Sequence, residues 1–497
     1  MSAPRLELEP GRRELLEKVS RGAIGLDAEY TLATGERTRR VYLDSTATTL
    51  RLEVVQQVLD QYDPYYSNTH SILHFGAKLS SEEFRWAHDM VLEFVRADPE
   101  VYTAFFVGSG TTAGINRAAR TLREKRPGRD VVITSIMEHH SNDLPHRKHF
   151  PEVVHIPAQM AKSSIGRVDL TRLAEALEEH GERVNYVAIT GVSNVTGIIN
   201  PIHEIAQLAH ARGALVLVDA AAMAAHLPIR VSGHADPARD IDVLVFSGHK
   251  VYAPGSPGVV VTRKDLFAGL EPQEVGGGMV DDVHVNRYLM KDRFPDREEA
   301  GTPNICGAIG LAASLYTLHK IGMDTVVEEE NRLIEHALKR LGAIDQVIIY
   351  GEPDYHACQR AGAISFNIHM IEHALTAAVL NDYFNISVRN QCFCAHPYVR
   401  EMITEALAEQ DEDLSDEQLE AMADLHRGMV RASFGIYSTL DDVDALGDAV
   451  RQIAENRAFY EKQYERLDSG DYVHKTFRFD HTQVFSVRRA VDAWLEK

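Results

Sequence analysis

Cysteine is scarce in this chain, with four among 497 residues. Four thiols make no disulfide framework over such a length, so a reducing, cytoplasmic setting is expected. Long apolar runs are missing as well. None approaches the roughly 20 residues needed to cross a bilayer, and no membrane partner is expected. The opening residues, M-S-A-P-R-L-E-L-E-P, lack the apolar stretch of a secretory signal, so none is expected. Positive charge is in deficit, with 52 Lys+Arg against 73 Asp+Glu and a formal net charge of −21. A field of that sign opposes sequence-independent binding of nucleic acid and favours solubility. There is no internal repeat and no low-complexity tract.

What is present is ordinary for a soluble globular protein, with 44 % hydrophobic and 25 % charged residues. The length suits two or three domains rather than one small core. Residues 1–40 are charged and weakly patterned, an arm or leading helix. From 41 to 312, short β-branched runs at 103–107, 131–135, 185–190, 214–219, 241–246 and 258–262 alternate with helical stretches such as 170–180 and 202–212. Strands alternating with helices predict an α/β domain with a mostly parallel, covered sheet. From 313 to 458 the pattern becomes α+β: a long helix from Leu311, strands at 346–350 and 363–369, and another at 430–434, a smaller second domain. Within it, residues 401–430 form an acidic helical insertion. Ser415 with Gln418 reads as a capping box that starts a helix at Asp416. Residues 459–497 read as an extension with some order, in which F-R-F and V-F-S-V are able to pack.

The most informative segment is I-D-V-L-V-F-S-G-H-K, ending at Lys250. A second apolar run, A-L-V-L-V-D, ends at Asp219. Ionisable residues at the carboxyl ends of two buried strands point to the crevice where α/β sheets place ligands. A lysine there forms a Schiff base with an aldehyde, and a carboxylate there keeps a ring nitrogen protonated, the pair that pyridoxal 5′-phosphate (PLP) requires. Taken singly, the aspartate reads equally as a helix cap and the lysine as a solvated charge. Ser247 and His249 flank the lysine within reach of a phosphate.

V-G-S-G-T-T-A-G-I-N, 107–116, follows a strand and opens a helix. Small residues, free N–H groups and the hydroxyls of Thr111 and Thr112 suit an anion; a plain tight helix entry is the alternative. In M-E-H-H-S-N, 137–142, adjacent histidines point apart, so one of them can stack on a cofactor ring while a surface role stays open. A zinc site is not expected, because H-E-x-x-H spacing is absent. Asn194, after another strand, is able to donate to a phenolate or to serve as an ordinary turn residue. Q-C-F-C-A-H-P, 391–397, places two of the four cysteines in a turn ended by proline, which suits a loop-borne thiol nucleophile better than half a metal site. Arg431, in an apolar run, needs a partner, either a substrate carboxylate or a structural aspartate; Arg389 competes for the carboxylate.

Taken in order, these motifs resemble the class V aminotransferase family of fold-type I PLP enzymes, and within it the cysteine desulfurase and selenocysteine lyase branch. The resemblance runs from Val41 to about Asn456. It is carried by Y-L-D-S-T-A-T-T (42–49), S-N-T-H (67–70), G-T-T-A-G-I-N (110–116), M-E-H-H-S-N (137–142), V-S-N-V-T-G (192–197), V-D-A-A (218–221), F-S-G-H-K (246–250), A-G-T-P-N (300–304), N-Q-C-F-C-A-H-P (390–397) and V-R-A-S-F (430–434). It implies that Lys250 carries the cofactor and moves the Cα proton, Asp219 pairs with the pyridinium nitrogen, His139 stacks on the ring and Asn194 bonds near its oxygen. By the same resemblance, Thr111 or Thr112, Ser247 and His249 hold the phosphate, and Thr302 reaches that of a neighbouring subunit, which implies a homodimer. Arg431 takes the carboxylate of L-cysteine or an analogue, with Arg389, Asn68 and His70 also on the substrate side. Cys394 aligns with the sulfur-accepting cysteine, its thiolate favoured by His70, His74 or His396, and a sulfur-acceptor protein is the implied partner. Three departures stand out. Ala222 replaces the family's glutamine, so that side chain donates nothing to the cofactor. C-F-C replaces a pair of histidines before the cysteine, and Cys392 is placed to resolve a persulfide, carry sulfur onward or do nothing. The 401–430 insertion and the tail are larger than in compact members. Other class V chemistry (a C–S lyase, aminotransferase or epimerase) and a sulfur-relay protein with a degenerate site are the competing readings.

Overall fold

The computed structural model describes residues 10–161, 163–410 and 428–497. Its centre is a seven-stranded sheet built from β1 (Tyr102–Val107), β2 (Val131–Ser135), β3 (Glu152–Ile156), β4 (Val184–Thr190), β5 (Leu215–Asp219), β6 (Val243–Ser247) and β7 (Gly258–Arg263). The spatial order is β1-β7-β6-β5-β4-β2-β3. The pairs among β2 to β6 are parallel; β7 runs antiparallel to both its neighbours.

These strands are continuous apolar runs because both faces are covered. Alternate residues feed two cores: Leu244 and Phe246 enter one, Val243 and Val245 the other. Helix α1 (Gly110–Lys125) lies on the second face. Gly114 permits the approach: a Cβ there would sit 2.5 Å from Val245 Cγ1 and 2.8 Å from Val260 Cγ2. That contact sets the start of α1 beside the carboxyl ends of β5 and β6.

The helix expected from Leu311 begins earlier. In α2 (Ile305–Ile321), Asn304 caps the first turn by accepting the Gly307 N–H at 2.9 Å. Gly322, at φ +83°, then turns the chain into α3 (Met323–Gly342), and the two helices meet at 80°. The long helix is therefore two. The second sheet consists of β8 (Val347–Ile349), β9 (Ala363–Ile368), β10 (Arg389–Gln391) and β11 (Met429–Ser433), in the order β8-β9-β11-β10.

The boundary expected at residue 41 is displaced. Val41–Tyr42 pairs in parallel with Ile386–Ser387, and Leu43 is buried in the core of the second sheet. The leading arm contains the helix Pro10–Arg21 and a hairpin, whose Ala33 N–H donates to Asp382 O. The tail also joins this side, because Tyr460 and Tyr464 are buried in the same core. Of its two apolar clusters, Phe479 of F-R-F meets Tyr30 edge-on, with centroids 5.8 Å apart, whereas Val484, Phe485 and Val487 stay exposed. Helix His396–Gln410 occupies the start of the acidic insertion; the Ser415–Gln418 capping box and the helix at Asp416 lie outside the described residues.

Candidate active site

A cavity of 480 Å³ opens where the strand ends of the large sheet face the second sheet. Its volume is in the range of small-molecule sites. Among the sequence-predicted residues, Thr111, Thr112, His139, Asn194, Asp219, Ser247, His249, Lys250, Arg389, Cys394 and Arg431 line it. Asn68, His70 and Thr302 are not brought into it. His70 packs its ring against Gly278, at the mouth of a second cavity that also includes Gly301 and Pro303, the neighbours of Thr302. Asn68 Oδ1 accepts the His70 N–H at 2.7 Å, and His74 caps the helix Phe75–Phe94 rather than approaching the thiol.

β5 ends at Asp219 and β6 at Ser247, and the short turn Gly248–Lys250 carries the lysine over the cavity floor. Asp219 is buried, and its Oδ1 accepts the Ala221 N–H at 2.9 Å. Burial raises its pKa, while the Ala221 N–H and the nearby Lys250 charge oppose the rise. Lys250 is pushed down to about 8, first by burial and then by the Arg431 charge, against the pull of Asp219 and Asp44. A far larger minority of its amine is thereby neutral near physiological pH than for an ordinary lysine, which favours Schiff-base formation.

His139 stands on the cavity wall. Burial, then the Lys250 charge, lowers its pKa to about 4. Its Nδ1 accepts the Ser141 N–H at 3.1 Å, which needs an unprotonated nitrogen there and agrees with a neutral ring. Glu138, which sequence reasoning passed over, is buried beside it and takes hydrogen bonds from Ser135 and Asn142, both at 2.6 Å. Burial raises Glu138 to about 8.

At the other end, the N-terminus of α1 presents Ser109, Gly110, Thr111 and Thr112 to the cavity. Ser247 Oγ accepts the Thr111 N–H at 2.7 Å and lies 2.7 Å from the Thr111 hydroxyl. Thr112 bonds Ser141 at 2.6 Å, and His249 Nδ1 lies 3.1 Å from Thr48 Oγ1. Gly110 has φ +59°, and a Cβ there would strike Ser247 Oγ at 2.6 Å, so the turn remains open only with glycine. This donor set fits PLP: hydroxyls and helix N–H groups for a phosphate, an imidazole face for a ring, a buried carboxylate for its nitrogen and an amine for its aldehyde. Ala222 lines the same wall and offers no donor.

The rim belongs to the second sheet. Arg389 and Arg431 face each other across β10 and β11. Arg431 is fully buried; it donates to Asn194 O at 2.7 Å and to Asp44 Oδ1 at 3.4 Å, and its guanidinium lies 4.7 Å from the centroid of the Phe393 ring. Of its two anticipated partners the structural aspartate is present, and the residue also borders the cavity. Burial lowers its pKa to about 10. Sequence reasoning missed Asp44, Thr46 and Phe393; the first two lie in the Y-L-D-S-T-A-T-T motif, which was the available signal.

Cys394 is exposed at this rim. It occupies a tight turn closed by the Ala395 N–H donating to Cys392 O at 2.8 Å, with φ +48° at Phe393 and +57° at Cys394. Two positive φ values at the centre are the type I′ pattern that normally selects Asn-Gly. The strain is held by neighbours: Asn194 Nδ2 donates to Phe393 O, and the His140 N–H donates to Cys394 O, both at 2.7 Å. His396, two residues on, has its Nδ1 3.0 Å from His140 Nε2, with the rings stacked.

Comparison with known proteins agrees with this geometry. A family model for aminotransferase class-V matches residues 41–446. A probable cysteine desulfurase of Halalkalibacterium halodurans is 32 % identical over 417 residues, 84 % of this chain and 93 % of that protein. A cysteine desulfurase of Escherichia coli is 32 % identical over 415 residues, 83 % and 93 % of the two chains. Among solved structures, an apo cysteine desulfurase from Thermococcus onnurineus NA1 superposes with a TM-score of 0.73 at 27 % identity, covering 92 % of this chain and 100 % of that one. The S-sulfonic acid form of the E. coli cysteine desulfurase CsdA gives 0.67 at 28 %, covering 84 % and 95 %.

Proposed function

The chain belongs to the aminotransferase class-V family, and from that premise we propose that it removes sulfur from L-cysteine, giving alanine and a persulfide on Cys394. The observation that carries this reading is that one cavity is lined by the Asp219–Lys250 pair and by an exposed thiol. Its cofactor is PLP, which when bound supplies an aldehyde for amines and a ring that takes up the electrons left when Cα loses its proton.

The chain's own residues do the rest. Asp219 would hold a positive charge on the cofactor's ring nitrogen, and His139, a neutral imidazole, would offer its face to the ring. Thr111, Thr112, Ser247, His249 and the start of α1 hold the phosphate. Arg431 and Arg389 orient the substrate carboxylate. Lys250, whose lowered pKa makes its neutral amine accessible, takes the Cα proton in that form. The Cys394 thiolate attacks the substrate sulfur: a new S–S bond forms as the Cβ–S bond breaks, its electron pair stays with Cβ, and a proton completes the methyl of alanine.

Product analysis with L-cysteine tests the reading. Alanine with persulfide or sulfide, lost in Cys394→Ala, supports it. Keto acid, ammonia or racemised amino acid as the product selects the other class V reactions, which Ala222 in place of glutamine favours. The working unit in this reading is a cytoplasmic homodimer. Thr302 stands outside its own chain's cavity, and Ile72, Leu73 and Phe75 stand exposed beside the second one, as residues covered by another copy would. A monomeric mass by light scattering for fully loaded protein removes the dimer.

A further inference from the structure

We infer that Cys392 discharges Cys394 within the same turn, so that the chain releases inorganic sulfide by itself. The inference rests on the desulfurase reading above.

Three observations support it. First, Cys392 and Cys394 are the first and third residues of one hydrogen-bonded turn, and both are thiols. Residues two apart in a reverse turn keep their Cα atoms inside the roughly 4.4–6.8 Å span of disulfides. Second, the two differ in placement. Cys394 is exposed and lines the cavity; Cys392 is half-buried, packs against the main core and is not part of the lining. Substrate sulfur therefore meets Cys394, and Cys392 waits behind it. Third, the turn is pinned at successive residues. Asn194 holds the Phe393 carbonyl, His140 holds the Cys394 carbonyl, and Arg431 lies over the Phe393 ring. A thiol held this way does not travel on a long swinging loop to a distant acceptor. The other thiol held in the same turn is Cys392.

The step balances without an added oxidant. The Cys392 thiolate attacks Cys394 Sγ, and the Cys392–Cys394 bond forms as the bond to the outer sulfur breaks. The outer sulfur leaves with the electron pair as hydrosulfide and is thereby reduced, while the two cysteine sulfurs are left oxidised as a disulfide. The proton from Cys392 passes to solvent or to the hydrosulfide. A dithiol reductant then resets the pair for the next turnover.

The test is one turnover of the PLP-loaded enzyme, free of added thiol, with one L-cysteine per site. Alanine, free sulfide and the mass of the cysteine-containing peptide are measured together. The expected result is sulfide equal to alanine and a peptide lighter by two hydrogens, with further turnover only after a dithiol is added. In Cys392→Ser and Cys392→Ala, alanine is expected with loss of the sulfide burst and a peptide heavier by one sulfur. Alanine from the unsubstituted chain with the persulfide retained and no disulfide overturns the inference and leaves the desulfurase reading intact. No alanine from the unsubstituted chain overturns both.

Discussion

The floor and the rim of the cavity are built on opposite terms. At the floor, Asp219 and Lys250 emerge from adjacent parallel strands in ordinary conformations, and burial shifts both pKa values toward the neutral forms. At the rim, Cys394 is exposed, its backbone is left-handed, and hydrogen bonds from other elements hold it there. Proton transfer at Cα benefits from a dry, low-dielectric setting that brings an amine near neutrality. A sulfur acceptor needs to face substrate on one side and a second thiol or protein on the other, so it cannot be buried. The floor is set by the packing of the sheet; the rim is set by local strain held in place.

Removing one feature at a time breaks or sharpens this contrast. Lys250→Ala is expected to reduce product to background and to leave no cofactor fixed to the chain by borohydride, read by mass. Cys394→Ala is expected to abolish persulfide while the visible chromophore and its borohydride trapping persist; loss of the chromophore as well would mean that floor and rim are one unit. Asp219→Asn, which keeps the shape and removes the charge, is expected to slow turnover by about 10²–10³-fold, measured as alanine formed per site. The pH dependence of reconstitution reports the floor alone. Lys250 is protonated below about 8 and neutral above it, so the rate at which apoprotein takes up PLP should rise as pH passes upward through about 8; a rate that climbs only in the ordinary lysine range would mean that the amine is not buried. The smallest effect concerns the turn. Cys394→Gly relieves a left-handed residue and should be more stable than Cys394→Ala by roughly 1 kcal/mol, measured by denaturant unfolding; equal stabilities would deny the strain.

Much of the floor was legible in the sequence because its signals are local. An apolar run ending in Asp219 and another ending in Lys250 each report a buried strand with a polar end. The strand missed by pattern, Glu152–Ile156, is the sheet's edge and mostly half-buried, so its alternation is weak. Val41–Tyr42 gave no sign that it pairs with Ile386–Ser387, because that pairing spans most of the chain. Glu138 looked like one polar residue among others in M-E-H-H-S-N; its isolation from water exists only once β2 and β4 enclose it.

The sequence by itself determined the α/β alternation and the chemistry of the floor, because hydrophobic periodicity and residue type act over a few neighbouring positions. Tertiary structure alone decided the handedness of the cysteine turn, the grip of Arg431 on Asn194 and Asp44, and the absence of Asn68, His70 and Thr302 from this chain's own cavity. Those depend on hydrogen bonds and contacts between segments far apart in the chain, which no local pattern encodes.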